Sequence, residues 1–147
     1  MPVDASALVE LVIDGRHRRG ADALLARYAE PRPRVVLVSA AHALVEATSA
    51  LRRLVLLGAL DSGTSSGAVD WLGRLDLALD PTGPRLPRIW ALKDTMSAYD
   101  AAYAAMAENT GEPLVTVDQR LLNACSTAGI AAVHLDDLSR RRRESPS

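Results

Sequence analysis

Short apolar runs alternate along the chain with segments of helical apolar spacing, and this order predicts a mixed α/β domain. Pro2-Val3-Asp4 reads as a brief extended start. From Ala5, the positions Leu8, Val9, Leu11 and Val12 fall on one helical face that Gly15 stops. A second helix is predicted over 17–29, where Ala21, Leu24, Leu25 and Tyr28 recur at helical spacing, and Pro31 and Pro33 end it. The continuous run Val35-Val36-Leu37-Val38 predicts a strand buried on both faces. Ser39 is read as the cap of the next helix, which runs to about Leu57 and stops at Gly58. The run Leu54-Val55-Leu56-Leu57 exceeds what one helix face needs and is expected in the core.

Residues 63–67 predict a turn, followed by a helix through Trp71 and Leu72 and a short strand at Leu77-Ala78-Leu79. A Pro- and Gly-rich stretch over 80–87 leads into a helix through Ile89, Trp90 and Leu92. Ser97 opens another helix that Gly111 closes. The strand Leu114-Val115-Thr116-Val117 comes next, then a helix over 119–128 stopped by Gly129, and a last strand over 130–135. Strands separated by helices require crossover connections, hence a central, mostly parallel sheet flanked by helices.

Length and composition narrow this further. One domain is expected from 147 residues, and 48% hydrophobic with 24% charged residues is an ordinary globular mixture. With 3% aromatics and no Phe, the core must be built from Leu, Val, Ala and Ile. The single cysteine, Cys125, excludes an intrachain disulfide and a multi-cysteine zinc site, and is expected to be buried. Asp4 and Glu10 interrupt the one candidate for a signal peptide, and no run approaches the ~18 apolar residues of a membrane span, so a cytoplasmic location is expected.

A net charge of −1 gives no global attraction for nucleic acid, so distribution matters more than the sum. All of the basic residues but Lys93 are Arg, clustered at 16–19, at 32–34 and at Arg140 to Arg143. The planar guanidinium fork suits phosphate oxygens. The domain is expected to span 1–138, with 139–147 a basic, flexible tail.

Candidate chemistry lies in four acids. Asp4 and Asp118 each close a strand, and in an open parallel sheet the functional crevice lies at the carboxyl ends of the strands. Asp100 sits one turn inside the helix begun by Ser97, and Glu46 lies in the first half of the helix over 40–57. Asp4 and Asp118 are also good N-caps, and Ser97-Ala98-Tyr99-Asp100 is a capping pattern. Glu46 has small helical neighbours at Ala43, Ser49 and Ala50, which clears room for other groups. Four carboxylates brought together would need a cation, and a hard divalent ion with oxygen ligands answers that need.

Several segments resemble the PIN domains, and the VapC toxins in particular. The opening Val3-Asp4-Ala5-Ser6-Ala7-Leu8-Val9 resembles the start of a PIN domain, and His42-Ala43-Leu44-Val45-Glu46 is similar to its glutamate helix. The helix from Ser97 to Glu108 resembles the signature helix of the VapC toxins, and Leu114-Val115-Thr116-Val117-Asp118-Gln119-Arg120-Leu121 the strand and turn after it. The resemblance implies a three-layer α/β sandwich and a metal-dependent endoribonuclease that acts as the toxin of a toxin–antitoxin pair. It implies a site of Asp4, Glu46, Asp100 and Asp118 holding Mg2+, with Mn2+ able to substitute. Ser6 and Thr116 match supporting polar positions beside these acids. It further implies an RNA substrate, a VapB-type antitoxin and a homodimer. Asp94 is a possible fifth acid, though a loop role suits it better.

Three other readings stay open on the residues alone. The same acids would serve a nuclease acting on single-stranded DNA. They would also occur in a non-catalytic domain that binds RNA or a partner, with acids that merely cap helices. A phosphate-accepting receiver domain clusters acids similarly, but the single lysine, Lys93, does not end a strand. His17, His42 and His134 are scattered, with no spacing that suggests a nucleophilic triad.

Overall fold

Five parallel tracks of backbone form the centre of the computed structural model, which describes residues 1–31 and 35–141. Strand β1 (Leu37–Ala40) pairs with β2 (Leu77–Asp80), with Ala40 opposite Asp80. Strand β3 (Leu114–Thr116) pairs with β4 (Ala132–His134), with Thr116 opposite His134. The N-terminus joins the two pairs: Pro2 bridges Val38 and Val3 bridges Val115, both in parallel sense. The Val3 amide donates to the Val38 carbonyl at 2.9 Å and the Asp4 amide to the Val115 carbonyl at 3.1 Å. The spatial order is therefore β2, β1, residues 2–3, β3, β4, and the first residues of the chain occupy its middle.

Helices flank this sheet: α1 (Ala5–Glu10), α2 (Arg18–Ala29), α3 (Ala43–Leu56), α4 (Ser62–Arg74), α5 (Leu86–Ala91), α6 (Ala98–Thr110), α7 (Gln119–Thr127) and α8 (Asp137–Arg141). A single 3-10 turn, Gly83–Arg85, precedes α5. Helix α6 is the most deeply set, with every residue from Ala101 to Ala107 buried. Five of those seven are Ala, so the helix needs little room on any side and neighbouring backbones approach it closely. Gly111 ends it at φ 69°, a left-handed conformation that costs glycine nothing. No helix among the described residues is long and apolar enough to cross a membrane.

The element order matches the apolar pattern, with four local departures. The first strand begins at Leu37 rather than Val35, because its pairing is set by the N-terminus: Val38 donates to the Met1 carbonyl at 3.0 Å, leaving Val36 43% exposed. Ser39 lies inside β1 and caps nothing; its buried hydroxyl donates to the Val3 carbonyl at 2.6 Å, so α3 starts only at Ala43. The expected turn over 63–67 is helical, because the Asp61 carboxylate accepts the Thr64 amide at 2.8 Å and caps α4 ahead of its glycines. Leu56 and Leu57 are 67% and 80% exposed rather than in the core, since Leu51 fills the inward position of α3.

Helix α8 was not foreseen in the pattern; Leu138 anchors it with 3% exposure. It takes in residues 139–141, and the rest of the expected basic tail lies outside the described residues, as do the arginines at 32 and 34 and Pro33.

Candidate functional site

The carboxyl edge of the sheet carries the acids. Asp4 follows the bridge residue Val3, Asp80 closes β2, and Asp118 stands two residues past the end of β3. Asp80 is neutralised on the spot: Arg85 donates to both of its carboxylate oxygens at 2.9 Å. Asp4 is 4% exposed, yet among the described residues no cation lies within salt-bridge distance of it.

Asp4 is instead held by neutral donors. The Ser6 hydroxyl reaches its two oxygens at 2.8 and 2.9 Å, the Thr116 hydroxyl donates at 2.6 Å, and the Ala7 amide caps it at 2.9 Å. The two hydroxyls are fixed from behind, because Ser6 Oγ accepts the Val117 amide at 3.0 Å and Thr116 Oγ1 the Asp118 amide at 2.9 Å. A threonine at the end of β3 and a serine in α1 thus hold one carboxylate between them. Burial is the largest influence on Asp4 and pushes its pKa up to about 6, against the opposing pull of these donors and with a further push from Asp118. A buried carboxylate with this proton affinity binds either a proton or a cation.

Asp118 caps α7, with Oδ1 accepting the amides of Arg120 at 2.8 Å and Leu121 at 3.4 Å. Asp100 lies in the first turn of α6, where its own amide donates to Ser97 Oγ at 3.1 Å. The Asp118 cap is thus realised and Ser97 caps α6, and neither role excludes chemistry. The Cys125 thiol is buried and its pKa is pushed up to about 11, first by burial and then by the charges of Asp100, Asp4 and Glu108. Glu46 reaches the group through Tyr103, whose hydroxyl donates to Glu46 Oε2 at 2.7 Å. The Tyr103 phenol is shifted strongly upward by burial, by that bond and by the charges of Glu46 and Asp4.

Asp4 thus feels the charge of Asp118, and its charge acts with that of Asp100 on Cys125 and with that of Glu46 on Tyr103. No three of these carboxylates close to within 4.8 Å; among the described residues only His17, His134 and Asp136 do so. The four carboxylates do not form a closed ligand set here. An ion that keeps several of its waters suits such a frame better than a bare one would. The oxygen-only donor set and the uncompensated burial of Asp4 fit a hard divalent cation. Asp94 stays outside this group, its side chain 85% exposed and paired with Lys93 at 3.1 Å.

Beside Glu46 opens a cleft of about 240 Å³ lined by His42, Val45, Glu46, Ser49 and Tyr99. His42 packs against the rings of Tyr99 and Tyr103, and its buried Nε2 has no hydrogen-bond partner, 3.6 Å from Glu46 Oε2. Sequence reasoning assigned no role to Tyr103 or His42. The signal was available for Tyr103, one turn beyond Asp100 on the same helix face, but an aromatic at that spacing reads first as core.

Comparison with known proteins agrees with this arrangement. The PIN domain family matches residues 1–126. Ribonuclease VapC3 of Mycobacterium tuberculosis is 33% identical over 126 residues, covering 86% of this chain and 88% of its own. Ribonuclease VapC1 of the same organism is 34% identical over 127 residues, covering 83% and 88%. Among solved structures, PAE2754 from Pyrobaculum aerophilum superposes with a TM-score of 0.67 at 27% identity, over 97% of this chain and 94% of that one. VapC20 of M. tuberculosis, a sarcin-ricin loop cleaving toxin, shares the fold with a TM-score of 0.62 at 22% identity, over 89% and 96%. A parallel sheet with acids along its carboxyl edge, matched to that family over residues 1–126 and to two ribonucleases over nearly their whole length, makes this chain a member of the PIN-domain family in its VapC branch.

Proposed function

We propose that the protein is a metal-dependent endoribonuclease, the toxin of a VapBC-type pair, with Asp4, Glu46, Asp100 and Asp118 as its metal-binding and catalytic residues. The observation that carries this reading is Asp4: a carboxylate 4% exposed, aimed by Ser6 and Thr116, with no cation of the described chain to neutralise it. The names of its relatives supply the substrate class, RNA. Mg2+, or Mn2+ in its place, would supply charge stabilisation at the scissile phosphate and lower the pKa of water there.

The chain's own groups then have defined tasks. Thr116 and Ser6 favour the ionised form of Asp4 against the pull of burial and fix its orientation. Tyr103 orients Glu46 from α6, the helix that also carries Asp100. The amides at the start of α7 hold Asp118 toward the sheet edge. The exposed Tyr99 beside Asp100 offers a face on which an unpaired base can stack. No side chain forms a covalent bond to substrate in this scheme.

A VapB-type antitoxin and a homodimer belong to the same proposal, as does a cytoplasmic location, where the RNA is. The apolar side chains of Val45, Leu56, Leu57 and Trp90, each more than 60% exposed, support the existence of partner surfaces. The test is cleavage of total cellular RNA by antitoxin-free protein with Mg2+, with Mn2+ and with chelator, beside an Asp100→Asn control. Discrete fragments that require metal and disappear in the variant are expected. Cleavage of single-stranded DNA in preference to RNA, or cleavage unaffected by chelator, would overturn the assignment.

A further inference from the structure

His17, His134 and Asp136 form a second set of ligating side chains, separate from the four acids. His17 stands at the start of α2, His134 closes β4, and Asp136 follows in the turn before α8. His17 Nδ1 lies 2.7 Å from Asp136 Oδ2, and His134 Nδ1 lies 3.7 Å from the same oxygen. The two imidazoles meet edge-on, with centroids 5.0 Å apart, and one ligating atom from each of the three residues falls within 4.8 Å of the others.

We propose that this group binds a borderline divalent transition-metal ion such as Zn2+, independently of the hard ion assigned to the acids. Two imidazoles and one carboxylate are the ligands such ions prefer over Mg2+. Metal–ligand bonds of roughly 2.0–2.1 Å in a tetrahedral site put ligand atoms about 3.3 Å apart. The observed 2.7 and 3.7 Å to Asp136 bracket that edge, and the edge between the two imidazoles lies within 4.8 Å. The frame is stiff where it must be: a Cβ on Gly20 would come within 2.7 Å of the Leu135 carbonyl, so the first turn of α2 is pressed onto the segment between His134 and Asp136. His17 is buried at 9% exposure, while the side chains of His134 and Asp136 are 24% and 35% exposed, which leaves an entry path and an open coordination position.

The tautomers define what an ion must displace. The Asp136 amide donates to His134 Nδ1 at 3.2 Å, so that nitrogen carries a lone pair, and an ion bound there displaces this amide. Arg16 Nε donates to His17 Nε2 at 3.0 Å, which puts the His17 proton on Nδ1, facing Asp136. An ion at Nδ1 moves that proton to Nε2 and evicts Arg16, an exposed side chain free to swing into solvent. Arg16 is therefore a competitor of the ion. His134 pairs opposite Thr116 in the sheet, so the site lies on the same edge as the acids, one strand away.

The experiment titrates the metal-free full chain with Co2+ in saturating Mg2+, following the visible absorption of a low-coordinate Co2+ ion and its bleaching by Zn2+. One equivalent is expected to bind. His134→Gln and Asp136→Asn, each checked for retained fold by circular dichroism, abolish the band. Asp100→Asn leaves it intact, which separates this site from the acid site. Arg16→Ala keeps all three ligands and tightens Co2+ binding by about fivefold, the worth of one competing hydrogen bond. No band in the wild type, a band that survives loss of His134, or a band lost with Asp100 overturns the proposal.

Discussion

Replacing Asp4 with Asn tests whether this buried carboxylate is the group that an ion must neutralise. The side chain is 4% exposed, and burial lifts its pKa from 3.8 to about 6. That rise is worth roughly 3 kcal/mol between the fully protonated and fully ionised limits. Because the folded chain holds the proton more tightly than the unfolded chain, the stabilisation is complete below about pH 4 and lost as pH climbs through about 6. Between about pH 5 and about pH 7.5 the metal-free protein therefore loses about 1.4 kcal/mol from this group. In a domain of this size that lowers Tm by about 3–6 °C. Asp4→Asn carries no ionisable group at the position, so its Tm lacks this part of the pH slope. Mg2+ acts in the opposite direction, since it binds the ionised carboxylate. Its stabilisation should grow as pH rises through about 6 in the wild type and largely vanish in the variant. Scanning calorimetry of both proteins, in chelator and in saturating Mg2+ at the two pH values, measures all four quantities. Parallel pH slopes for wild type and variant in chelator, or equal Mg2+ stabilisation at both pH values, would refute the reasoning.

Three further expectations follow from other parts of the molecule. Tyr103→Phe removes the 2.7 Å bond to Glu46 while keeping the ring, and should raise the Mg2+ needed for half-maximal RNA cleavage by about 10-fold or more. An unchanged Mg2+ requirement in that titration would remove Tyr103 from the positioning of Glu46. Gly20→Ala places a Cβ 2.7 Å from the Leu135 backbone and should cost about 1–3 kcal/mol in urea denaturation, whereas helix propensity alone would make it stabilising. Leu56→Ser with Leu57→Ser changes side chains that are 67% and 80% exposed, so each should alter stability by no more than about 0.5 kcal/mol. A loss of several kcal/mol in the double variant would return these residues to the core.

What could be read from the chain beforehand depended on how far apart the interacting residues stand. Ser97 with Asp100, Gly111 at the end of α6, and Asp118 at the start of α7 act on neighbours within one turn, and their patterns are local. The order of strands and helices was legible for the same reason. Ser39 follows an apolar run as a cap would, but the partner of its hydroxyl, Val3, lies 36 positions away, and that long-range bond decides its place. His17 and Asp136 are 119 positions apart and meet only because α2 packs on the turn after β4. Asp4 and Asp118 stood out at strand ends, whereas Glu46 and Asp100, inside helices, were singled out chiefly by the family resemblance. The hydroxyls that aim Asp4 are bound by amides of residues 117 and 118, an arrangement that no periodicity encodes.

Capping and chemistry are compatible because they use the same geometry. A strand that ends in Asp and turns into a helix points that carboxylate at its own first amides, and in a parallel sheet every such carboxylate faces one edge. Position alone therefore cannot separate a structural acid from a functional one, since Asp80 shares that edge with Asp4 and Asp118. Counter-charge singles out Asp4 alone, since Asp118 has Arg120 at 3.9 Å. Asp80 is clasped by Arg85, Glu108 on α6 is paired with Arg88 at 2.7 Å, and the exposed Asp94 has Lys93. Asp4 has the deepest burial of these acids, feels the charge of Asp118, and has no cation of the described chain within salt-bridge distance. A fold that supplies cations to the neighbours and withholds one here leaves a charge to be met from outside, and the pH dependence of Mg2+ stabilisation measures whether it is.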